Sequence, residues 1–167
     1  MAGVGAAAPW PTFRDMQTTT DHGYDVIQSM NTLLRGEISA VETYHQALER
    51  VKDAQIRPIL EENLRLHQNR CDLLRARVQS LGGTPEASSG AWGAFAKLIE
   101  GGAQLFGDKA AVIALEEGED RGLAIYRKEL PKLDATTQQL VETQLFAGQQ
   151  TTHRALSALK KQLHGTK

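Results

Sequence analysis

Gly36–Tyr44 reads GEISAVETY and Gly118–Tyr126 reads GEDRGLAIY. Both are Gly-Glu-x6-Tyr, with the Glu and the Tyr seven residues apart. On an α-helix that spacing is two turns, so Glu37 and Tyr44 leave one face, as do Glu119 and Tyr126. Around the first copy, Ile27, Met30, Leu34, Val41, Leu48 and Val51 fall on the same face at steps of three and four. Around the second, Val112, Glu116, Leu123 and Leu130 do the same. A carboxylate and a phenol on the apolar stripe of a helix need partners inside the fold. The repeat therefore predicts two halves facing one shared site.

The remaining segments fall into place around these two helices. The first helix is expected over about Asp25–Lys52. Asp53 is an N-cap candidate for a second, with Pro58 in its first turn and Gly82-Gly83 as its stop. Its stripe is Leu60, Leu64, His67, Cys71, Leu74, Val78 and Leu81. Residues 83–107 are looser: Pro85, Ser88, Ser89 and Gly90 read as a loop, Trp92–Ile99 as a short amphipathic helix, and Gly101-Gly102 as its end. Asp108 is placed as the cap of the third helix and Pro131 as its close. Asp134 caps a fourth that carries Val141, Leu145, Gln149, His153, Leu156, Leu159 and Leu163. No stretch alternates with period two, so no sheet is expected. Residues 1–21 read as a flexible N-terminal arm and residues 22–164 as one bundle. Two short joints and one long connection between the second and third helices specify an all-α, antiparallel four-helix bundle with a single crossover, which is the ferritin-like topology.

Composition narrows the function classes. The 167 residues are 41% hydrophobic with a formal net charge of −1, and charges of both signs are interspersed. That excludes the basic stripe of a nucleic-acid binder and the basic amphipathic helix of a membrane-surface protein. No apolar run approaches the ~20 residues of a membrane span. The single Cys71 cannot form an internal disulfide or a cysteine-cluster metal site, and it reads as a small buried hydrophobe. With no signal-peptide pattern, a cytoplasmic location is the expectation.

If the first two helices pair and the last two pair, each half supplies a Glu, a Tyr two turns on and a His: Glu37, Tyr44, His67 and Glu119, Tyr126, His153. On these residues the chain resembles the ferritin-like superfamily, and within it the rubrerythrin-like bacterial four-helix-bundle proteins that carry a domain of unknown function. The resemblance spans roughly Tyr24 to Leu163. It implies that Glu37 and Glu119 are metal-ligating glutamates, with Tyr44 and Tyr126 behind them to orient the carboxylates. Glu116 resembles the second carboxylate that rubrerythrins carry on the third helix. With iron bound, the family implies oxygen or peroxide chemistry of the stress-protection kind. The chain departs from the family at Glu-x-x-His on the second and fourth helices, whose Glu bridges the two irons. Leu64 stands three before His67 and Gln150 three before His153, so both bridging carboxylates are missing.

Charge balance then sets the expectation. Two divalent ions need about four carboxylates, and Glu37 and Glu119 leave half that charge uncompensated in a low-dielectric interior. One ion held by Glu37, His67, Glu119 and His153, with Glu116 as an auxiliary, is balanced. The mixed oxygen and nitrogen set suits Fe, Mn or Zn. One ion or none is expected rather than a full di-iron centre. The competing reading has no metal: Glu37 takes Tyr126, Glu119 takes Tyr44, the imidazoles take carboxylates, and the closed polar network sets helix register. Between a metal-binding protein, an enzyme or not, and a non-catalytic structural or assembly module the sequence leaves both open. A homo-oligomer would form through the bundle surface or the Trp92–Ile99 helix.

Overall fold

In a computed structural model, residues 13–90 and 93–165 are described, with side chains over 23–90 and 107–165. Four helical rods pack with neighbours antiparallel. α1 is Phe13–Arg50, α2 Arg57–Ser80 and α3 Gly93–Glu129. The fourth rod is α4, Ala135–Leu140, a π-helical segment, Val141–Phe146, and α5, Ala147–Gly165. No strand occurs among the described residues. The ferritin-like bundle expected from the periodicity is the fold of the chain.

The ends of the rods follow local chemistry. α2 stops in a Schellman motif: Gly83 N–H donates to Val78 C=O and Gly82 N–H to Gln79 C=O, with Gly82 at a φ of 78° that disfavours any side chain. The chain then runs up the outside of α1. Asn31 Nδ2 donates to Thr84 C=O, Glu86 N–H to Asn31 Oδ1, Arg35 pairs with Glu86, and Ser89 Oγ donates to Glu42. These bonds tie down the long crossover. Asp134 caps α4 as expected, accepting from Thr136 and Thr137 N–H.

Several boundaries depart from the sequence expectation. α1 begins at Phe13 rather than Asp25, and residues 1–12 of the expected arm lie outside the described residues. Once a helix is nucleated, Thr and Gly cost about 1 kcal/mol each or less, too little to stop it. Gly101-Gly102 do not end the crossover helix, which continues as α3 to a kink at Gly107 (φ 72°, ψ −168°); Trp92 lies outside the described residues. Asp108 does not cap its own helix. Its carboxylate accepts from Lys52 and Asp53 N–H, pinning α3 to the α1–α2 joint. Asp53 in turn caps the turn before α2, accepting from Gln55 and Ile56 N–H.

The core is in two parts. At one end Met30, Leu33, Leu34, Leu74, Val78, Val141 and Leu145 are buried together. At the other Ala47, Val51, Ile56, Leu60, Val112, Leu115 and Leu156 are buried together. Between these apolar halves lies a layer of buried polar side chains, and there the functional question is decided.

Candidate functional site

The two Glu–Tyr repeats meet in this middle layer, crosswise. Tyr44 Oη donates to Glu119 Oε1 at 2.6 Å, and Tyr126 Oη donates to Glu37 Oε1 at 2.7 Å. Glu37, Tyr44, Glu119 and Tyr126 are all 2–3% exposed. Each phenol therefore serves the carboxylate of the other helix, as the pseudo-symmetry of the sequence suggests. His67 stands between the glutamates, with Nδ1 at 2.7 Å from Glu37 Oε2 and Nε2 at 3.1 Å from Glu119 Oε1.

The fourth predicted ligand is not there. His153 turns out of the core and bonds Asp120 at 2.8 Å. Its place on α5 is taken by Thr152, fully buried, whose Oγ1 donates to Glu119 Oε2 at 2.8 Å. Gln149 also reaches in, its Nε2 donating to Glu119 Oε2 at 2.7 Å. Glu116 is likewise displaced: Leu115 faces the core, and Glu116 accepts from Ser157 Oγ and from Lys160 Nζ at 2.6 Å. One residue along a helix is about 100° of rotation. A step of three to Thr152 and a step of four to His153 both continue the stripe from Gln149, and packing selects the first.

The residue that sequence reasoning missed is Arg70. It is 3% exposed, one turn after His67, and its Nε donates to Glu37 Oε1 at 2.8 Å. Its Nη2 reaches Gln149 Oε1 at 3.0 Å and lies 2.7 Å from His67 Nδ1. Asn63, also missed, donates from Nδ2 to Tyr44 Oη and to Thr152 C=O. The available signal was spacing. Asn63, His67 and Arg70 follow one another at steps of four and three, alongside the apolar stripe already read on α2.

The electrostatics close on themselves. Burial pushes the Glu37 carboxyl up, but the Arg70 and His67 charges and their hydrogen bonds outweigh it and bring its pKa down to about 2. Burial pushes the His67 imidazole down, and the Glu119 and Glu37 carboxylates more than reverse that, so its pKa is raised above the ordinary value and its charged form is favoured. Tyr44 and Tyr126 are raised well above the usual phenol range by burial and by the carboxylates they serve, so both remain donors. With His67 protonated, two carboxylates and two cations sum to zero in a layer that has an apolar cluster on either side.

Beside the layer, between α1 and α3, is a cavity of about 50 Å³. Leu33, Leu115 and Ile125 form its walls, Gly36, Gly118 and Gly122 leave it open, and Tyr44, His67 and Glu119 reach its floor. It has room for water. A Cβ at Gly122 would run into the amide of Gln149.

The domain of unknown function DUF2383 matches residues 25–132, well over half of the chain. The chain belongs to the DUF2383 family. A solved structure described as ferritin-like, diiron-carboxylate proteins from Bacillus anthracis str. Ames is similar in fold to this DUF2383 protein. Its TM-score is 0.68 over 83% of this chain and 97% of that one, at 19% identity. No curated protein matches. The family match covers α1 from residue 25 on, α2 and α3, and so includes Glu37, His67, Arg70 and Glu119.

The diiron centre named for that neighbour does not fit the middle layer of this DUF2383 chain. All four oxygens of Glu37 and Glu119 already accept from protein donors, and a guanidinium lies among them. Among the described residues, no other carboxylate takes the place of the bridging carboxylates absent from the sequence. A group able to hold an ion lies instead on the α3–α5 surface, where ligand atoms of Glu116, Asp120 and His153 fall within 4.8 Å of one another. Among the described residues no helix is long and apolar enough to cross a membrane.

Proposed function

We propose that this protein is a non-catalytic ferritin-like module, structural or assembly-forming, in which a metal-free ion network stands where the fold would otherwise hold its cofactor. The observation that carries this is the saturation of Glu37 and Glu119. Every carboxylate oxygen has a protein donor, and the balancing charge comes from Arg70 and His67. Such a network holds the register of four helices, because each helix contributes a partner to it. Assembly with further copies through the bundle surface fits this role.

The test is metal analysis after loading with Fe(II), Mn(II) and Zn(II), run on the parent, Glu37→Gln and His153→Ala. The expected result is no metal whose retention depends on Glu37. Stoichiometric metal lost in Glu37→Gln would overturn the reading. Light scattering on the same samples gives the oligomeric state, and a strict monomer at all concentrations removes the self-assembly part.

A second reading rests on the surface group. Glu116, Asp120 and His153 offer two carboxylates and an imidazole, a set suited to Fe, Mn or Zn. Lys160 competes there: its hydrogen bond holds the Glu116 carboxyl below its ordinary range, and an ion would have to displace the ammonium. In this reading any iron-dependent oxygen or peroxide protection belongs to the α3–α5 surface, and metal content falls in His153→Ala while Glu37→Gln retains it.

A further inference from the structure

Two buried polar pairs, His67 with Arg70 on α2 and Gln149 with Thr152 on α5, are each three residues apart; the first meets Glu37 and Glu119, the second Glu119. That is the i, i+3 register in which Glu-x-x-His supplies a bundle-core dinuclear site. His67 touches both Glu37 and Glu119, as a bridging group must, and Gln149 touches Glu119 while accepting from Arg70. The ligand register therefore runs through positions 67, 70, 149 and 152. The pairing of Leu64 with His67 is one helical turn out of phase with it, and that of Gln150 with His153 is one residue out of phase.

We propose that Arg70 is the residue that keeps divalent cations out of the bundle centre, its guanidinium occupying the space and supplying the charge of an ion held by Glu37, His67 and Glu119. The donors of that side chain are incompletely used. Nε and Nη2 are bonded, whereas Nη1 is buried with no partner among the described residues and faces Gly148, where a Cβ would come within 3.3 Å. The carboxylate that the guanidinium bonds is that of Glu37, and Glu119 acts on it by charge across the layer; that positive charge is what the site uses. Replacing that charge with an imidazole leaves two carboxylates and two imidazoles, the balanced set for one divalent ion. The cavity between α1 and α3 is lined in part by Glu37, His67 and Glu119. This inference rests on the proposed metal-free centre.

The experiment uses the full chain with His153→Ala throughout, so that an ion at the α3–α5 surface is not counted. Co(II) is titrated into the parent, Arg70→His, Arg70→Lys and Arg70→Gln, read by d–d absorption, by metal content after desalting and by the shift in Tm. Arg70→His is expected to take up about one Co(II) per chain, with a rise in Tm on binding, and to lose it when Glu119→Gln is added. The parent and Arg70→Lys are expected to take up none. A folded Arg70→His that binds no more than the parent overturns the proposal, as does Arg70→Lys binding equally well. If Arg70→His does not fold even with Co(II), Arg70→Gln decides: uptake above the parent supports the exclusion by charge, and none overturns it. Glu119-dependent Co(II) in the parent would instead overturn the metal-free reading itself.

Discussion

Arg70 governs the energetics of the centre because it is the permanent charge in a layer of low dielectric. Removing one partner of a buried pair leaves the other uncompensated, typically at a cost of about 3–5 kcal/mol. Arg70→Leu, which deletes the guanidinium opposite Glu37, is therefore expected to lower the unfolding free energy by about that amount in urea. Adding Glu37→Gln should restore a large part of it, since a neutral amide no longer requires the cation. A loss confined to a few tenths of a kcal/mol would mean that water, not Arg70, neutralises Glu37. Exposed pairs such as Arg65 with Glu62 offer the contrast. With more than half of each side chain in solvent, disrupting it should leave stability almost unchanged.

Among the helices, α3 meets α5 at the site through Gly122 and Gln149. Gly122 lets Gln149 cross α3 to reach Glu119, so Gly122→Ala displaces the amide and its bond to Glu119. A cost of about 1–3 kcal/mol is expected from that overpacking. Gly36→Ala sets the opposite sign. Its Cβ would lie 3.6 Å from Ile125 Cδ1, an ordinary contact, and Ala favours a helix interior over Gly by about 1 kcal/mol. Thermal unfolding of the two variants should therefore move in opposite directions, and equal losses would show that the α1–α3 seam is as tight as the α3–α5 one. The π-helical segment Val141–Phe146 belongs to the same seam. It immediately precedes Gln149 and Thr152 and sets which faces of α5 turn inward.

For the chain overall, the central network predicts a stability that falls on both sides of neutrality. The folded pKa of Glu37, about 2, is below its ordinary 4.5. Its contribution is complete above pH about 4.5 and disappears as pH falls toward 2, a loss of about 3 kcal/mol. The folded pKa of His67 is raised above its ordinary 6.5. Its contribution is complete below that value and disappears as pH rises through the folded value. Urea midpoints from pH 2 to 9 should show an acid limb that flattens in Glu37→Gln and an alkaline limb that flattens in His67→Gln. An alkaline limb unchanged in His67→Gln would place the proton elsewhere.

Steps of three and four in the apolar residues were enough to specify four helices, their pairing and the single crossover, because a helix must bury one continuous face. The Glu–Tyr repeat likewise placed Glu37, Tyr44, Glu119 and Tyr126 inward, and the apolar stripe of α2 placed His67 with them. The choice of Thr152 over His153, of Leu115 over Glu116, and the burial of Arg70 came only with tertiary structure. Adjacent residues on one helix differ by about 100°, and a stripe wide enough to face a core accepts either. An arginine reads as a surface residue until the carboxylate that holds it is brought alongside, and Glu37 comes from another helix, 33 residues away in the chain.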